Sequence, residues 1–196
     1  RLKAKRTVVH FQIGAKSMLD NFKGKLLVAK PHVMKDPHFA KSVVYIYEQT
    51  DKVCIGIILN KPSYMNVRDI QIMRGESNSG ALGSLYRGGP VSEQSLLMLH
   101  TDDWMSTNTM LATHGNAISS DELMLQKIAD NNVPACWRLM SGMSTWLITQ
   151  LQSEVYKHQA WLVVEPTQEV FYNFDEEAQW KAAVQLASIQ LMETYF

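Results

Sequence analysis

The chain is 196 residues long, 46% hydrophobic and 19% charged, with 19 basic and 19 acidic side chains. That balance suits one globular domain with a sizeable core and excludes a disordered or low-complexity chain. Its apolar runs, such as Cys54 to Leu59 and Leu96 to Leu99, fall far short of the roughly 20 residues a spanning helix needs, so no membrane association is expected.

The chain opens on Arg1-Leu2-Lys3-Ala4-Lys5-Arg6 with no sustained apolar run, unlike a signal peptide, and a cytoplasmic location is expected. Residues 1–41 carry ten Lys or Arg against only Asp20 and Asp36, while the remainder carries nine basic and seventeen acidic residues. Such an arm either neutralises nucleic-acid phosphates or folds against the acidic remainder or a partner subunit. The second reading is preferred, because the arm lacks aromatic interleaving and matches no groove-reading motif. Residues 1–22 are read as a basic lead-in with a short helix over Ala15–Phe22, and residues 23–196 as the folded domain.

Lys25–Ala29 reads as a strand stopped by Lys30-Pro31, since proline lacks an N–H and restricts the residue before it. Ser42–Glu48 and Val53–Leu59 are dense in β-branched and aromatic residues around a polar loop, a hairpin whose second strand is apolar enough to be central. Residues 64–84 read as a long, polar, Gly-punctuated crossing, the kind of loop that is often functional. Ser84–Arg87 leads to Gly88-Gly89-Pro90, and Ser95–His100 is the next strand. Ser119-Ser120-Asp121-Glu122 starts a helix. Ala135–Ser141 is a strand, Ser144–Lys157 a helix with Leu147, Leu151 and Val155 at helical spacing, and Ala160–Glu165 and Glu169–Phe174 are strands. Asp175-Glu176-Glu177 opens a last helix with Trp180, Ala183, Val184, Ala187 and Leu191 on one stripe. Strands and helices mix without a regular βαβ alternation, which predicts an α+β fold.

The phosphate-binding and hydrolytic signatures GxxxxGK[ST], GxGxxG, HExxH and GxSxG do not occur. Cys54 and Cys136 form no CxxC pair and are expected as core thiols in a reducing compartment. His32, Asp36 and His38 cluster between two prolines, a turn rather than a ligand set, so no metal and no cofactor is expected. Gly88-Gly89 lets the main chain approach either a ligand or another strand closely, with Arg87 placed to meet an anion. Asn60-Lys61-Pro62 is either a turn fixed by the asparagine or part of the same site. His100 ends an apolar strand before Thr101-Asp102-Asp103, as a base with a carboxylate neighbour or as a plain strand end. Trp146, Gln150 and Glu154 fall at i, i+4 and i+8, a ligand face or a packed aromatic beside a polar pair. The candidate site therefore comprises Asn60, Pro62, Arg87, Gly88, Gly89, Pro90, His100, Trp146, Gln150 and Glu154.

Taken in order, Gly24-Lys25-Leu26-Leu27-Val28-Ala29-Lys30-Pro31, Asp36-Pro37-His38-Phe39, Ser42-Val43-Val44, Gly56-Ile57-Ile58-Leu59-Asn60-Lys61-Pro62 and Gly88-Gly89-Pro90-Val91 resemble the YqgE/AlgH family. Leu99-His100, Gly142 with Trp146, Gln150-Leu151, Glu154 and Trp161-Leu162 continue the series. The chain departs from the family where Val53 replaces a glycine and where Gly142-Met143-Ser144-Thr145-Trp146 replaces a Gly-Tyr-Ala-Gly-Trp segment, so it resembles a divergent member. The resemblance implies a single compact domain with a mixed, bifurcated, barrel-like sheet flanked by helices, and a transcriptional-regulator label. Zero net charge and the absence of a helix-turn-helix signature favour regulation through protein contacts.

Three functions are compatible with these residues. The first is a non-enzymatic regulatory or interaction protein that binds a protein or small molecule through the loops around Asn60 and Gly88. The second is a hydrolase or binding protein for a phosphorylated or nucleotide-like molecule, using His100. The third is nucleic-acid binding through the basic arm. Convergence of Asn60, Arg87, Gly88 and His100 on one concave pocket separates the first two.

Overall fold

The structure, a computed structural model, describes residues 20–76 and 80–195. The basic arm over residues 1–16 lies outside the described residues, as does most of the expected Ala15–Phe22 helix, and Asp20–Phe22 are not helical. Phe22, at the end of the lead-in, is buried, and its N–H donates to Gln49 Oε1 at 2.8 Å. Three lysines of the basic segment meet acidic partners from the rest of the chain: Lys23 with Glu48 at 3.2 Å, Lys41 with Glu177 at 2.9 Å, and Lys25 with Glu165.

The strands are β1 (Leu26–Ala29), β2 (Val43–Gln49), β3 (Val53–Ile58), β4 (Pro62–Asn66), β5 (Ser84–Arg87), β6 (Val91–Thr101), β7 (Met110–Leu111), β8 (Asn116–Ser119), β9 (Trp137–Leu147) and β10 (Trp161–Val164). They run β10-β1-β2-β3-β9-β6-β8-β7, with β4 pairing β5 and β5 joining β9 in parallel. The helices are α1 (Val67–Met73), α2 (Glu122–Ala129), α3 (Ile148–Gln152), which runs on as a π-helical turn over Ser153–Lys157, α4 (Gln168–Tyr172) and α5 (Glu176–Tyr195).

Strand β2 explains why the first hairpin is so apolar. Val43, Tyr45 and Tyr47 face one core, while Val44 and Ile46 face the other. A strand covered on both faces shows no polar alternation. The first core lies between the sheet, α4 and α5, and Phe171 stands edge-on to Tyr45 with ring centroids 4.9 Å apart. The second gathers Trp146, Ile148, Leu151 and Trp161 on the opposite face of β1 to β3. A third packs Val67 of α1 and Met124 and Ile128 of α2 against Leu85, Met98 and Leu139.

The fork of the sheet is at β9. Its first half pairs β5 (Leu85↔Leu139 to Arg87↔Ser141), and its second half pairs β3 (Gly56↔Ser144 to Val53↔Leu147). β6 runs along the opposite edge, from Val91↔Met143 to His100↔Trp137. One edge of β9 thus serves two strands in turn, which produces the bifurcation. The mixed, curled α+β architecture expected from the ordered motifs is the one observed.

Three local expectations are corrected. Residues 144–147 are strand, because the ladder to β3 carries β9 through to Leu147, and the helix starts only at Ile148. Leu147 is accordingly exposed rather than on the helix stripe. Residues 168–172 form α4 and not a strand. Val170 and Phe171 are adjacent yet both buried, a pattern one helical turn satisfies and a strand with one solvated face does not. Residues 64–84 are no simple crossing: β4 leads to α1, which starts at a capping box in which Asn66 Oδ1 accepts from Asp69 N–H at 3.0 Å and Asp69 accepts from Asn66 N–H at 2.8 Å.

Candidate functional site

Gly88 sits in the fork of the sheet. Its N–H donates to Ser141 O and its carbonyl accepts from Ile58 N–H, both at 2.8 Å. A Cβ at Gly88 would lie 2.3 Å from Gly142 O, and one at Gly89 would lie 2.4 Å from the Met143 backbone. The close approach that the paired glycines allow is therefore to strand β9. Behind them the chain swings out, and Gly89 and Pro90 line the wall of a cleft.

The cleft encloses about 1300 Å³ between β4, α1, the end of β5 and the start of α5. Asn60, Pro62, Arg87, Gly89 and Pro90 all border it. Asn60 is buried and wholly engaged with main chain. Its Oδ1 accepts from Val43 N–H at 2.9 Å, and its Nδ2 donates to Lys41 O at 2.9 Å and Glu176 O at 2.8 Å. It ties the β2 start, the preceding loop and the head of α5 together, and so sets the cleft's back wall. The floor is apolar, formed by Ile58, Met65, Ile70, Leu85 and Leu96. Tyr64 is fully exposed at the rim, with the Arg87 guanidinium 5.9 Å from its ring centroid.

Charge in the cleft is mixed but locally uneven. Lys41 is paired with Glu177, and Arg74 with Glu76 and Glu122. Lys61 and Arg87 form no ion pair among the described residues, nor do Glu93 and Glu176. The Lys61 ammonium is half-buried and donates to Ala40 O at 2.6 Å. Burial pushes its pKa down, and the neighbouring Lys41 and Arg87 add to that, opposed only in part by Glu177. The Lys61–Arg87 end of the cleft is thus a cationic spot short of anions. Lys61 was not among the sequence candidates, although its neighbours Asn60 and Pro62 were.

His100 is elsewhere. It is fully buried, its Nδ1 donates to Thr101 O at 2.7 Å and its Nε2 accepts from Ser119 Oγ at 2.9 Å, with Trp104 standing edge-on at 5.1 Å. Burial lowers its pKa, against smaller raising contributions from Thr101 O, Asp103 and Asp102. The expected pocket shared by His100 and the Asn60 and Gly88 turns does not form. His100 does make a prediction. Because the unfolded ring protonates near pH 6.5 and the folded ring below that, stability is full above that pH and is lost as pH falls. Urea unfolding should show His100→Gln losing less stability than wild type between neutral pH and pH 5.5, by on the order of 1 kcal/mol per pH unit. Parallel losses in the two proteins would show that His100 is not the titrating group.

Trp146, Gln150 and Glu154 do not form one helix face: Gln150 and Glu154 pair with each other, and Trp161 links them to Trp146. Trp146 belongs to β9, where it packs against Phe39 at 5.5 Å and Trp161 at 6.2 Å. Gln150 Nε2 donates to Glu154 Oε1 at 2.9 Å, and Glu154 Oε2 accepts from the Trp161 indole at 2.8 Å. The set holds the π-helical turn against β10. His38 Nδ1 and Asp36 Oδ1 meet on the surface at 3.2 Å. Both cysteines are free thiols, and burial raises the Cys54 pKa to about 11.

Comparison with known proteins agrees with this architecture. Residues 26–192 match the family model described as AlgH-like, DUF179. A UPF0301 protein of Marinomonas sp. strain MWYL1 is 32% identical over 178 residues, covering 89% of this chain and 94% of the relative. A UPF0301 protein of Francisella tularensis subsp. novicida is 29% identical over 188 residues, covering 91% and 96%. The solution structure of the AlgH protein from Pseudomonas aeruginosa superposes with a TM-score of 0.69 at 24% identity, covering 88% of this chain and 92% of that one. Protein DIP2367 from Corynebacterium diphtheriae superposes at 0.64 with 22% identity, covering 83% and 85%. At those identities the two structures show a shared fold alone. The family match spans β1 to α5, and with it the fork, the Asn60 anchor and the cleft: the chain belongs to the AlgH-like family.

Proposed function

We propose that the protein is a non-catalytic regulatory or interaction protein that holds a segment of a partner protein in the 1300 Å³ cleft. The observation that carries this is the convergence of the Asn60-Lys61-Pro62 and Arg87-to-Pro90 turns on one cleft with an apolar floor and an unpaired Lys61–Arg87 spot. The occupant is an extended segment that presents an acidic side chain to Lys61 and Arg87 and apolar side chains to Ile58, Met65 and Leu96. Glu93 and Glu176 on the same walls oppose a polyphosphate or nucleic acid, which brings charge of one sign only. A hydrolase using His100 is disfavoured by the burial of that ring away from the cleft. Among the described residues no helix is long and apolar enough to cross a membrane, and the free thiols fit the reducing cytoplasm.

The test is fluorescence anisotropy with short labelled peptides that place Asp or Glu between apolar residues, run alongside ADP. Wild type should bind such peptides with an affinity that falls as salt rises. The reversal Arg87→Glu should weaken binding by about tenfold or more, while leaving the fold intact because the exposed Arg87 side chain forms no ion pair among the described residues. Lys61→Gln, which removes the charge without setting a carboxylate against Ala40 O, should weaken it in the same direction. Equal peptide affinity in the Arg87→Glu variant would show that the cleft is not where the peptide binds. Binding of ADP in preference to every peptide would replace the partner segment with a nucleotide-like ligand.

A further inference from the structure

The geometry points to a second, smaller binding site for an amino acid or closely related zwitterion, held between Arg138 and Asp175. A pocket of about 420 Å³ opens between β5, the start of β9 and the α4–α5 turn. It shares no lining residue with the cleft, and its volume is within the small-ligand range.

Arg138 is the unusual group. It is the lone charged residue of β9 and is 6% exposed. Its Nη1 donates to Leu59 O at 2.6 Å and Gln179 Oε1 at 2.7 Å, and its Nη2 donates to Phe174 O at 2.6 Å. All three acceptors are neutral. Arg138 forms no ion pair among the described residues, and its Nε–H and second Nη2–H have no acceptor among them. A buried guanidinium is ordinarily matched by a carboxylate, because uncompensated buried charge is costly. Here the positive charge, lying 4.8 Å from the Tyr86 ring centroid, borders an open pocket instead. A ligand carboxylate would supply the missing counter-charge through a planar fork.

The rest of the lining defines the other end of the ligand. Tyr86 Oη donates to Asp175 Oδ2 at 2.7 Å, and Tyr172 Oη donates to Asn116 Oδ1 at 2.7 Å. Burial raises both phenol pKa values, Tyr86 to about 12, so both remain protonated with their hydrogens committed. What these groups offer a ligand is therefore acceptor lone pairs and the Asp175 carboxylate. One cation with spare donors beside a carboxylate and two phenol oxygens is complementary to a ligand with a carboxylate and an ammonium. Asp175 also repels a dianion, which sets inorganic phosphate apart from the proposed class. Leu82, Trp137 and Phe174 leave an apolar wall for a side chain.

The probes are L-leucine and L-phenylalanine, the deaminated acid and decarboxylated amine of each, and inorganic phosphate. The readout is the Arg138 Nε–H and Trp137 indole N–H resonances of the whole protein. The amino acids should shift both saturably, the deaminated acids should bind about tenfold more weakly, and the amines and phosphate should leave the Arg138 signal in place. Arg138→Lys should abolish binding of all carboxylates. Where that variant fails to fold, Asp175→Asn decides, since it should remove the preference of amino acid over deaminated acid. Failure of both amino acids to move the Arg138 signal, an equal response to phosphate, or an unchanged preference in Asp175→Asn overturns the proposal.

Discussion

Gly88→Ala should prevent folding, or destabilise the protein by about 4 kcal/mol or more, in the class of changes that force backbone apart. The added Cβ would stand 2.3 Å from Gly142 O at the point where β9 passes from β5 to β3. Main chain occupies that space, so no rotamer change relieves the contact. Relief requires parting Gly88 from β9, which breaks the bond from Gly88 N–H to Ser141 O and disturbs the bond that Gly88 O accepts from Ile58 N–H on β3. Gly75→Ala is the matched control. Gly75 has φ +76° but nothing within 4 Å of a built Cβ, so only the left-handed backbone cost applies, about 1 kcal/mol. Urea unfolding, or soluble yield where Gly88→Ala does not fold, separates the two. A Gly88→Ala loss no greater than that of Gly75→Ala would mean that the fork has slack.

Asn60→Ala should cost about 3 kcal/mol, because one buried main-chain group (Val43 N–H) and two part-buried ones (Lys41 O and Glu176 O) lose their partner at roughly 1 kcal/mol each. Asn60→Asp should cost more than Asn60→Ala despite being nearly isosteric. It removes both N–H donors and turns a carboxylate oxygen toward the carbonyls of Lys41 and Glu176, which Asn60 Nδ2 now bridges. The readout is again the unfolding free energy. If Asn60 were a surface ligand group, both variants would unfold like wild type, and the rank of Asp over Ala would not appear.

These two positions show what was readable from the chain. Gly88-Gly89 and Asn60 stood out in sequence because paired glycines and an Asn before Lys-Pro are backbone chemistry. Sequence alone left open whether the backbone approached a ligand or a strand. The answer depends on β9 serving two strands along one edge, which is a long-range fact. β1, β2 and β3 were legible because burial on both faces makes them apolar throughout. β4 and α1 were hidden because Ser63, Tyr64, Met65 and Asn66 lack alternation, although the Asn66 to Asp69 spacing was a cap signal available to reading. Ser144 to Leu147 read as helix because Leu147, Leu151 and Val155 are four apart, and tertiary pairing to β3 overrode that spacing.

The candidate site divided in a similar way. Asn60, Pro62, Arg87, Gly89 and Pro90 gathered on one cleft, whereas His100 and the Trp146 group lie in other parts of the packing. His100 misled because a histidine before two aspartates looks like a base with its carboxylate, yet its ring nitrogens are spent on Thr101 and Ser119. Arg138 had one sequence signal, the single charge in the strand Trp137–Leu147. That signal says a partner is needed without saying whether the partner comes from the chain or from a ligand.

The most direct test of the cleft as the working surface is amide chemical-shift mapping with the tightest acidic peptide from the anisotropy series. Shifts should concentrate at Lys41, Lys61, Tyr64, Arg87 and Val91, with Ala117, Ile118 and Ser119 around His100 unmoved. Shifts centred on the β8 region or on the Trp146 and Trp161 face, with Lys61 and Arg87 silent, would contradict the cleft's role.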